Sequence, residues 1–268
     1  MAELDTAALL AALEPVAEEN LNRHLATAQE WMPHEYVPWS LGRDFKELGG
    51  DPWSVDQSQL SQIARTALEV NLLTEDNLPS YHREIERARM ETMETGYDSG
   101  DKPLLNVCAY VSFQELATRV SHRNTGKFTD EPIAEKLLIR VAKDENLHMI
   151  FYRNIIQAAL ELTPNQTMRA ITDEVVDFQM PGSIIPGFGR KAVQMAMAGI
   201  YDLRIHHDDI VQPLLRQWGV FELEGLDEEG EAARDQLAAA VAALDAEATR
   251  FVEKREERAA KIAARQNA

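Results

Sequence analysis

The sequence predicts an all-α protein, a helical bundle that carries smaller helices toward its C-terminus. Apolar residues recur every three or four positions along most of the 268 residues, and no stretch alternates as a half-buried strand does. Only 13 glycines occur, most of them in turn-like breaks, and 45% of the chain is hydrophobic, enough for one domain with a sizeable core. The formal charge of −18 argues against nucleic-acid binding, which needs clustered lysine and arginine to neutralise phosphates. The single cysteine, Cys108, excludes a disulfide framework and a cysteine-based zinc or iron–sulfur site. No apolar run approaches the ~20 residues that cross a bilayer. Residues 1–5 lack the basic start of a secretory signal, so the expectation is a soluble, cytoplasmic protein.

Each element follows from local signals. The first helix is predicted from about Asp5 to Gln29. Pro15 divides it, because an internal proline removes a donor and crowds the preceding turn. Residues 33–56 mix proline, glycine and aromatics and read as an ordered loop, pinned to the bundle by Trp31, Trp39 and Trp53. A helical pattern then runs from about Gln57 to Glu94, bends at Pro79, and stops in the turn-rich stretch 96–103. The next helix spans about Leu104 to Asn124 and closes at Gly126. Asp130 reads as the cap of a helix over 131–162, with Pro132 in its first turn. Shorter helices are expected near 164–179, 189–200 and 205–218, separated by breaks such as Met180-Pro181-Gly182. An alanine-rich helix with a basic end covers about 227–265 and leaves a short tail to 268.

Chemistry enters where polar residues interrupt apolar stripes. On the 131–162 helix, Ala134, Leu138, Val141, Tyr152, Ile155 and Ala159 share a face with Glu145 and His148. A buried carboxylate costs on the order of several kcal/mol unless it is paired or metal-bound. Glu-x-x-His sets a carboxylate and an imidazole one turn apart on one face, the chelating unit of di-iron carboxylate bundles. The pair alone is weak evidence, since about 0.7 such pairs arise by chance in a chain with 7 His and 28 Glu. Its place on the apolar stripe carries the weight. The 104–124 helix repeats the pattern, with Glu115 and Thr118 among Leu104, Cys108, Val111 and His122. The preceding helix sets Glu75 on a face with Leu60, Ala64, Ala67 or Leu68, and Asn71 or Leu72. One such glutamate is ordinarily paired with an arginine or turned to water; three on successive helices point to a shared ligand.

The runs LLTEDNLPSY (72–81), YVSFQELATRVSHRNTGK (110–127) and DENLHMIFYRN (144–154) resemble the soluble acyl-carrier-protein (acyl-ACP) desaturases, especially their mycobacterial branch. ALEPVAEENLNRHL (12–25) and FQMPG (178–182) fit the same branch, so the resemblance covers nearly the whole chain. It implies a ferritin-like di-iron helical bundle, with Glu75, Glu115, Glu145 and His148 as iron ligands. Thr118 falls on the family's threonine beside the iron, thought to assist oxygen activation. It further implies two irons, O2, two electrons from a ferredoxin-type donor, and a homodimer. The implied reaction sets a cis double bond in a fatty acyl chain carried by ACP, in fatty-acid or mycolic-acid precursor synthesis. Such a site suits that chemistry, because an unactivated C–H bond resists ordinary acid–base residues.

The sequence departs from the family at one place. The family has a second Glu-x-x-His, in a TAEENRHG-like run between the helices of Glu75 and Glu115. Here the residues three before each histidine are Leu21, Trp31, Pro79, Arg119, Glu145, Leu203 and Arg204, so only one such unit exists. Residues 81–85 read like the end of the Glu75 helix and residues 86–100 like the segment after the missing one. One bundle helix is thus excised near Ile85–Glu86. His82 and His122 stand seven residues from Glu75 and Glu115, a rise of ~10.5 Å, too far to share an iron easily. Glu18, Glu19 and His24 could reach the site only if the first helix filled the vacancy; otherwise Glu18 and His24 face solvent or cap structure. The alternative to an active desaturase is therefore an impaired homologue that binds acyl-ACP or a partner subunit. An iron-storage protein of ferritin type fits the motifs less well.

Other residues have plainer readings. Met180, Met195 and Met197 fill core, Cys108 is a small buried residue, and His206-His207-Asp208-Asp209 is an exposed, capping helix start. An acidic enzyme needs a local basic patch to receive acidic ACP, either Arg190-Lys191 or Arg119, Arg123 and Lys127.

Overall fold

The computed structural model describes residues 3–37, 58–75, 102–179 and 187–266. Every regular element among them is helical: α1 (Thr6–Thr27), a 3₁₀ turn (Pro33–Glu35), α2 (Gln62–Glu75), α3 (Leu104–Thr129), α4 (Pro132–Leu162), α5 (Pro164–Val176), α6 (Phe188–Met197), α7 (Leu203–Ile205), a π-helical segment (His206–Val211), α8 (Gln212–Trp218) and α9 (Glu228–Gln266). No described helix is long and apolar enough to cross a membrane.

The α3–α4 hairpin is the centre of the fold. Residues 111–118 of α3 are all buried, so this helix is enclosed by its neighbours and does not present a single inward stripe. Its end differs from the expected one. Gly126 lies inside α3, where a Cβ would stand 3.2 Å from the Glu135 Cα and 3.3 Å from the Leu138 Cβ. The glycine is therefore set by the close approach of α4, and α3 runs on to Thr129. Asp130 adopts the left-handed conformation (φ 51°) that ends α3. The cap of α4 is Glu131, whose carboxylate accepts from the Ala134 N–H at 2.7 Å, with Pro132 in the first turn. The expectation that Asp130 caps α4 is thus corrected by one residue.

Helix α1 lies antiparallel along α4. The Asn154 side chain donates to Asn20 Oδ1 at 2.7 Å, His24 stacks against His148, and Arg140 donates to the Gln29 carbonyl at 3.0 Å. Trp31 donates to Asp144 at 2.8 Å, holding the chain beyond α1 on the same helix. Pro15 does not divide α1. Both Pro15 and Ala11, whose carbonyl loses its partner, are exposed, so water takes the place of the lost hydrogen bond. Trp39, Trp53, Met180 and most of the 33–56 loop lie outside the described residues.

The main core gathers Phe113, Ile156, Met168, Ile171, Leu214, Leu215, Trp218 and Leu237 from five helices. The rings of Phe113 and Trp218 meet edge to face at 5.5 Å, and the indole N–H donates to the Arg153 carbonyl at 2.9 Å. Burying a side chain such as Phe113 contributes about 1.5–3 kcal/mol. Ala67 and Val70 of α2 form a second cluster with Met195 and Ile200. Met197 is half-buried.

Gly126→Ala is expected to destabilise the protein by about 1–2 kcal/mol in urea unfolding, because the methyl must push α4 away. Gly189→Ala on α6, where nothing lies within 4 Å, leaves the midpoint unchanged or raises it.

Candidate metal centre

Glu115 and Glu145 each lie fifteen residues from Asp130, on opposite arms of the hairpin. Equal distance from the turn sets them face to face, and both are buried. His148 follows one turn along α4. The ligand atoms of Glu115, Glu145 and His148 all lie within 4.8 Å of one another. His148 Nδ1 stands 3.3 Å from Glu115 Oε2 and 3.4 Å from Glu145 Oε2. The Thr118 hydroxyl bonds back to the Glu115 carbonyl at 3.1 Å and lies 3.5 Å from Glu145 Oε2.

The electrostatics are those of an unbalanced acid pair. No lysine or arginine forms an ion pair with either carboxylate among the described residues, and His148 is their salt-bridge partner. Burial, and then the neighbouring Glu115, push the Glu145 carboxyl up to about 7. The carboxylates of Glu115 and Glu145 in turn push His148 up to about 10. Burial alone pushes the Cys108 thiol up to about 12, which makes it an inert wall. Two hard oxygen donors and an imidazole, gathered in a half-dry site with no lysine or arginine paired to them among the described residues, are a donor set that fits iron or a similar divalent ion.

Helix α2 approaches from the other side of α3. Ser121 donates to Asn71 Oδ1 at 3.4 Å, and the Asn71 amide reaches Thr125 at 3.5 Å. Glu75 stands one turn after Asn71, at the end of α2; its side chain lies outside the described residues. So do residues 76–101, with the Pro79 bend, His82 and the excision near Ile85–Glu86.

Two readings of histidines are overturned. His24 does not face solvent: it is half-buried, and its ring lies 5.5 Å from that of His148 at an interplanar angle of 9°. The antiparallel α1–α4 register produces this contact, which sequence spacing along α1 alone does not reveal. Glu18 and Glu19 are exposed. His206 and His207 are likewise buried, in the π-helical segment, where His206 pairs with the Tyr201 hydroxyl at 2.9 Å and stacks on Phe178. The wider π turn directs both rings inward, where an exposed cap was expected.

The family model described as fatty acid desaturase matches residues 5–103 and 83–267. The chain belongs to the fatty acid desaturase family. The two matches overlap within residues 83–103, the stretch that holds the excision predicted from the sequence. This desaturase-family chain is 41% identical to a Mycobacterium tuberculosis protein named as an acyl-(acyl-carrier-protein) desaturase, DesA1, across 93% of this chain and 89% of the relative. That alignment runs over 301 positions, more than the 268 residues here, so the relative carries residues with no counterpart in this chain. A stearoyl-(acyl-carrier-protein) 9-desaturase 6 of Arabidopsis thaliana is 28% identical, covering 78% of this chain and 54% of the relative. The X-ray structure titled as the acyl-ACP desaturase DesA2 of M. tuberculosis superimposes with a TM-score of 0.66 at 28% identity, covering 79% of this chain and 95% of that one. The all-α, ferritin-like fold and the mycobacterial branch of the resemblance agree with these matches, as does the place of the family among oxidoreductases.

Metal binding is expected to release protons, because Glu145 holds a proton up to about 7 and His148 up to about 10. Affinity for Co(II) or Fe(II) therefore rises from about pH 6 to pH 8. Calorimetric titrations in buffers of different ionisation enthalpy check this. The metal-free protein follows the opposite trend. The Glu145 contribution to stability is complete below 4.5 and lost toward 7, and that of His148 is complete below 6.5 and lost toward 10.

Proposed function

We propose that the chain is an acyl-ACP desaturase that inserts a cis double bond into an ACP-linked fatty acyl chain in an O2-dependent reaction. The observation that carries this reading is the convergence of Glu115, Glu145 and His148 between α3 and α4, where no lysine or arginine among the described residues forms an ion pair with either carboxylate. The names of the relatives, which specify acyl chains on a carrier protein, support the substrate class.

Glu115, Glu145 and His148 would hold iron, with Glu75 joining them from the end of α2. Iron bound there supplies the oxidising power that removal of hydrogen from an unactivated methylene requires. The protein groups do the rest. The α3 and α4 walls, with buried Cys108, Met149 and Leu116, shield the two carboxylates from water. The Thr118 hydroxyl holds a proton at Oγ1 beside the Glu145 carboxylate and serves as the relay for proton movement there. Two electrons from a ferredoxin-type donor complete the stoichiometry. The setting is a cytoplasmic homodimer working on fatty-acid or mycolic-acid precursors.

A second reading rests on a specific observation: the single Glu-x-x-His. Without the other unit the shared centre lacks an imidazole and a carboxylate, and the chain is then an impaired homologue that still binds acyl-ACP or a partner subunit. Iron content separates the two. An active desaturase carries two irons per chain and forms unsaturated product from acyl-ACP with a reduced ferredoxin. The impaired homologue holds at most one, weakly, and forms none.

Glu145→Gln is expected to lower metal affinity at least 10-fold and to abolish any product. It leaves the helical circular dichroism unchanged, because the amide keeps the shape and removes a buried charge. Iron bound as tightly as in the wild type would remove Glu145 from the site.

A further inference from the structure

The C-terminal half of α3 is uniformly basic. From Leu116 to Thr129 it holds no carboxylate, while Arg119, Arg123 and Lys127 recur every four residues and line one edge over about 12 Å. Arg123 and Lys127 are exposed and Arg119 is half-buried. None of the three forms an ion pair among the described residues. Several other cations have carboxylate partners: exposed Lys102 has Glu174, buried Arg140 has Asp144, and half-buried Arg255 has Asp202, while half-buried Arg153 bonds the Asn154 amide.

Like charges one turn apart on a helix repel. Both burial and Arg123 lower the affinity of Arg119 for its proton, so the ridge works against itself in the isolated protein. The negative end of the helix dipole accounts for Lys127, in the last turn, but not for Arg119, more than two turns earlier. In a chain of net charge −18, this ridge, without an ion pair among the described residues, is a local concentration of positive charge. It begins at the residue after Thr118 and four residues beyond Glu115, directly beside the candidate centre.

We infer that the Arg119–Arg123–Lys127 ridge docks the acidic carrier protein. It would receive a helix with carboxylates at three- to four-residue spacing and so set the tethered acyl chain beside Glu115 and Thr118. The inference rests on the proposed desaturase reading, which supplies the carrier as partner. Charge complementarity supplies the rest: an acidic protein approaching an acidic surface is repelled except where the sign reverses. The residues form one rigid helical edge, so docking costs little ordering of the backbone. Arg190 and Lys191 make a poorer alternative, because Lys191 is already paired with Glu69.

The test is a double charge reversal, Arg123→Glu with Lys127→Glu, in the metal-loaded full chain. Both side chains are exposed and glutamate suits a helix, so the fold is expected to persist; thermal unfolding and metal content verify it. Binding of labelled acyl-ACP is read by fluorescence anisotropy at about 20 and 200 mM NaCl, where screening differs several-fold. Wild type is expected to bind more weakly at high salt. The variant loses at least 10-fold in affinity at low salt and most of the salt dependence. Arg190→Glu serves as a control and retains wild-type affinity. Equal affinity of the double variant and wild type overturns the ridge while leaving the desaturase reading in place. Loss with Arg190→Glu instead moves the docking surface to α6 and also overturns it. A double variant that binds acyl-ACP normally but no longer accepts electrons assigns the ridge to another acidic protein. Absence of acyl-ACP binding by wild type at low salt removes both the ridge assignment and the substrate on which it rests.

Discussion

Two carboxylates and an imidazole meet between α3 and α4, and no lysine or arginine among the described residues pairs with them. Burial of like charge of this kind is tolerated when a cation belongs there or when protons substitute for it. Burial and the neighbouring Glu115 raise the proton affinity of Glu145, and the two carboxylates raise that of His148. Most of the architecture serves to hold this arrangement. The close crossing at Gly126 fixes the separation of the two arms, the turn at Asp130 fixes their register, and the Phe113–Trp218 contact anchors the far end of the pair.

Much of this was legible in the residues. The helices were visible because their apolar periodicity is long and their breaks carry glycine and proline. Glu115 and Glu145 stood out because each interrupts an apolar stripe, and the turn between them lies midway, so their juxtaposition follows from hairpin geometry. Gly126 and Asp130 were misread for a common reason. Local signals say that a glycine or an aspartate suits a helix end; only the neighbouring helix shows that the glycine answers a steric demand and that the aspartate closes one helix and does not open the next. Pro15 was misread because its cost depends on whether water can reach the orphaned carbonyl, which is a property of burial. The turned-in His24, His206 and His207 were beyond reach, since their environments depend on contacts between distant segments and on a widened helical turn.

Glu115, Glu145 and His148 all belong to one covalent hairpin, so a change elsewhere in the bundle leaves their mutual geometry intact. The chain carries a single Glu-x-x-His, on α4, and that unit meets Glu115 without help from any other helix. Helix α1 has its own ties to α4 through Asn20, His24 and the Gln29 carbonyl, and so borders the site from a further side.

The π-helical segment at His206–Val211 has an effect far from its own position. A π turn holds one residue more than an α turn, and each residue advances a helix by about 100°. Everything after Val211 is therefore rotated relative to an uninterrupted α-helix, and it is this rotated frame that points Trp218 at Phe113. Straightening the segment into an α-helix of unchanged length would swing the indole off the core and bring Gln217 into its place. The widened turn thus acts as a phase setting between the two halves of the hydrophobic interior, and its buried side chains, Ile210 and Val211 among them, hold it open.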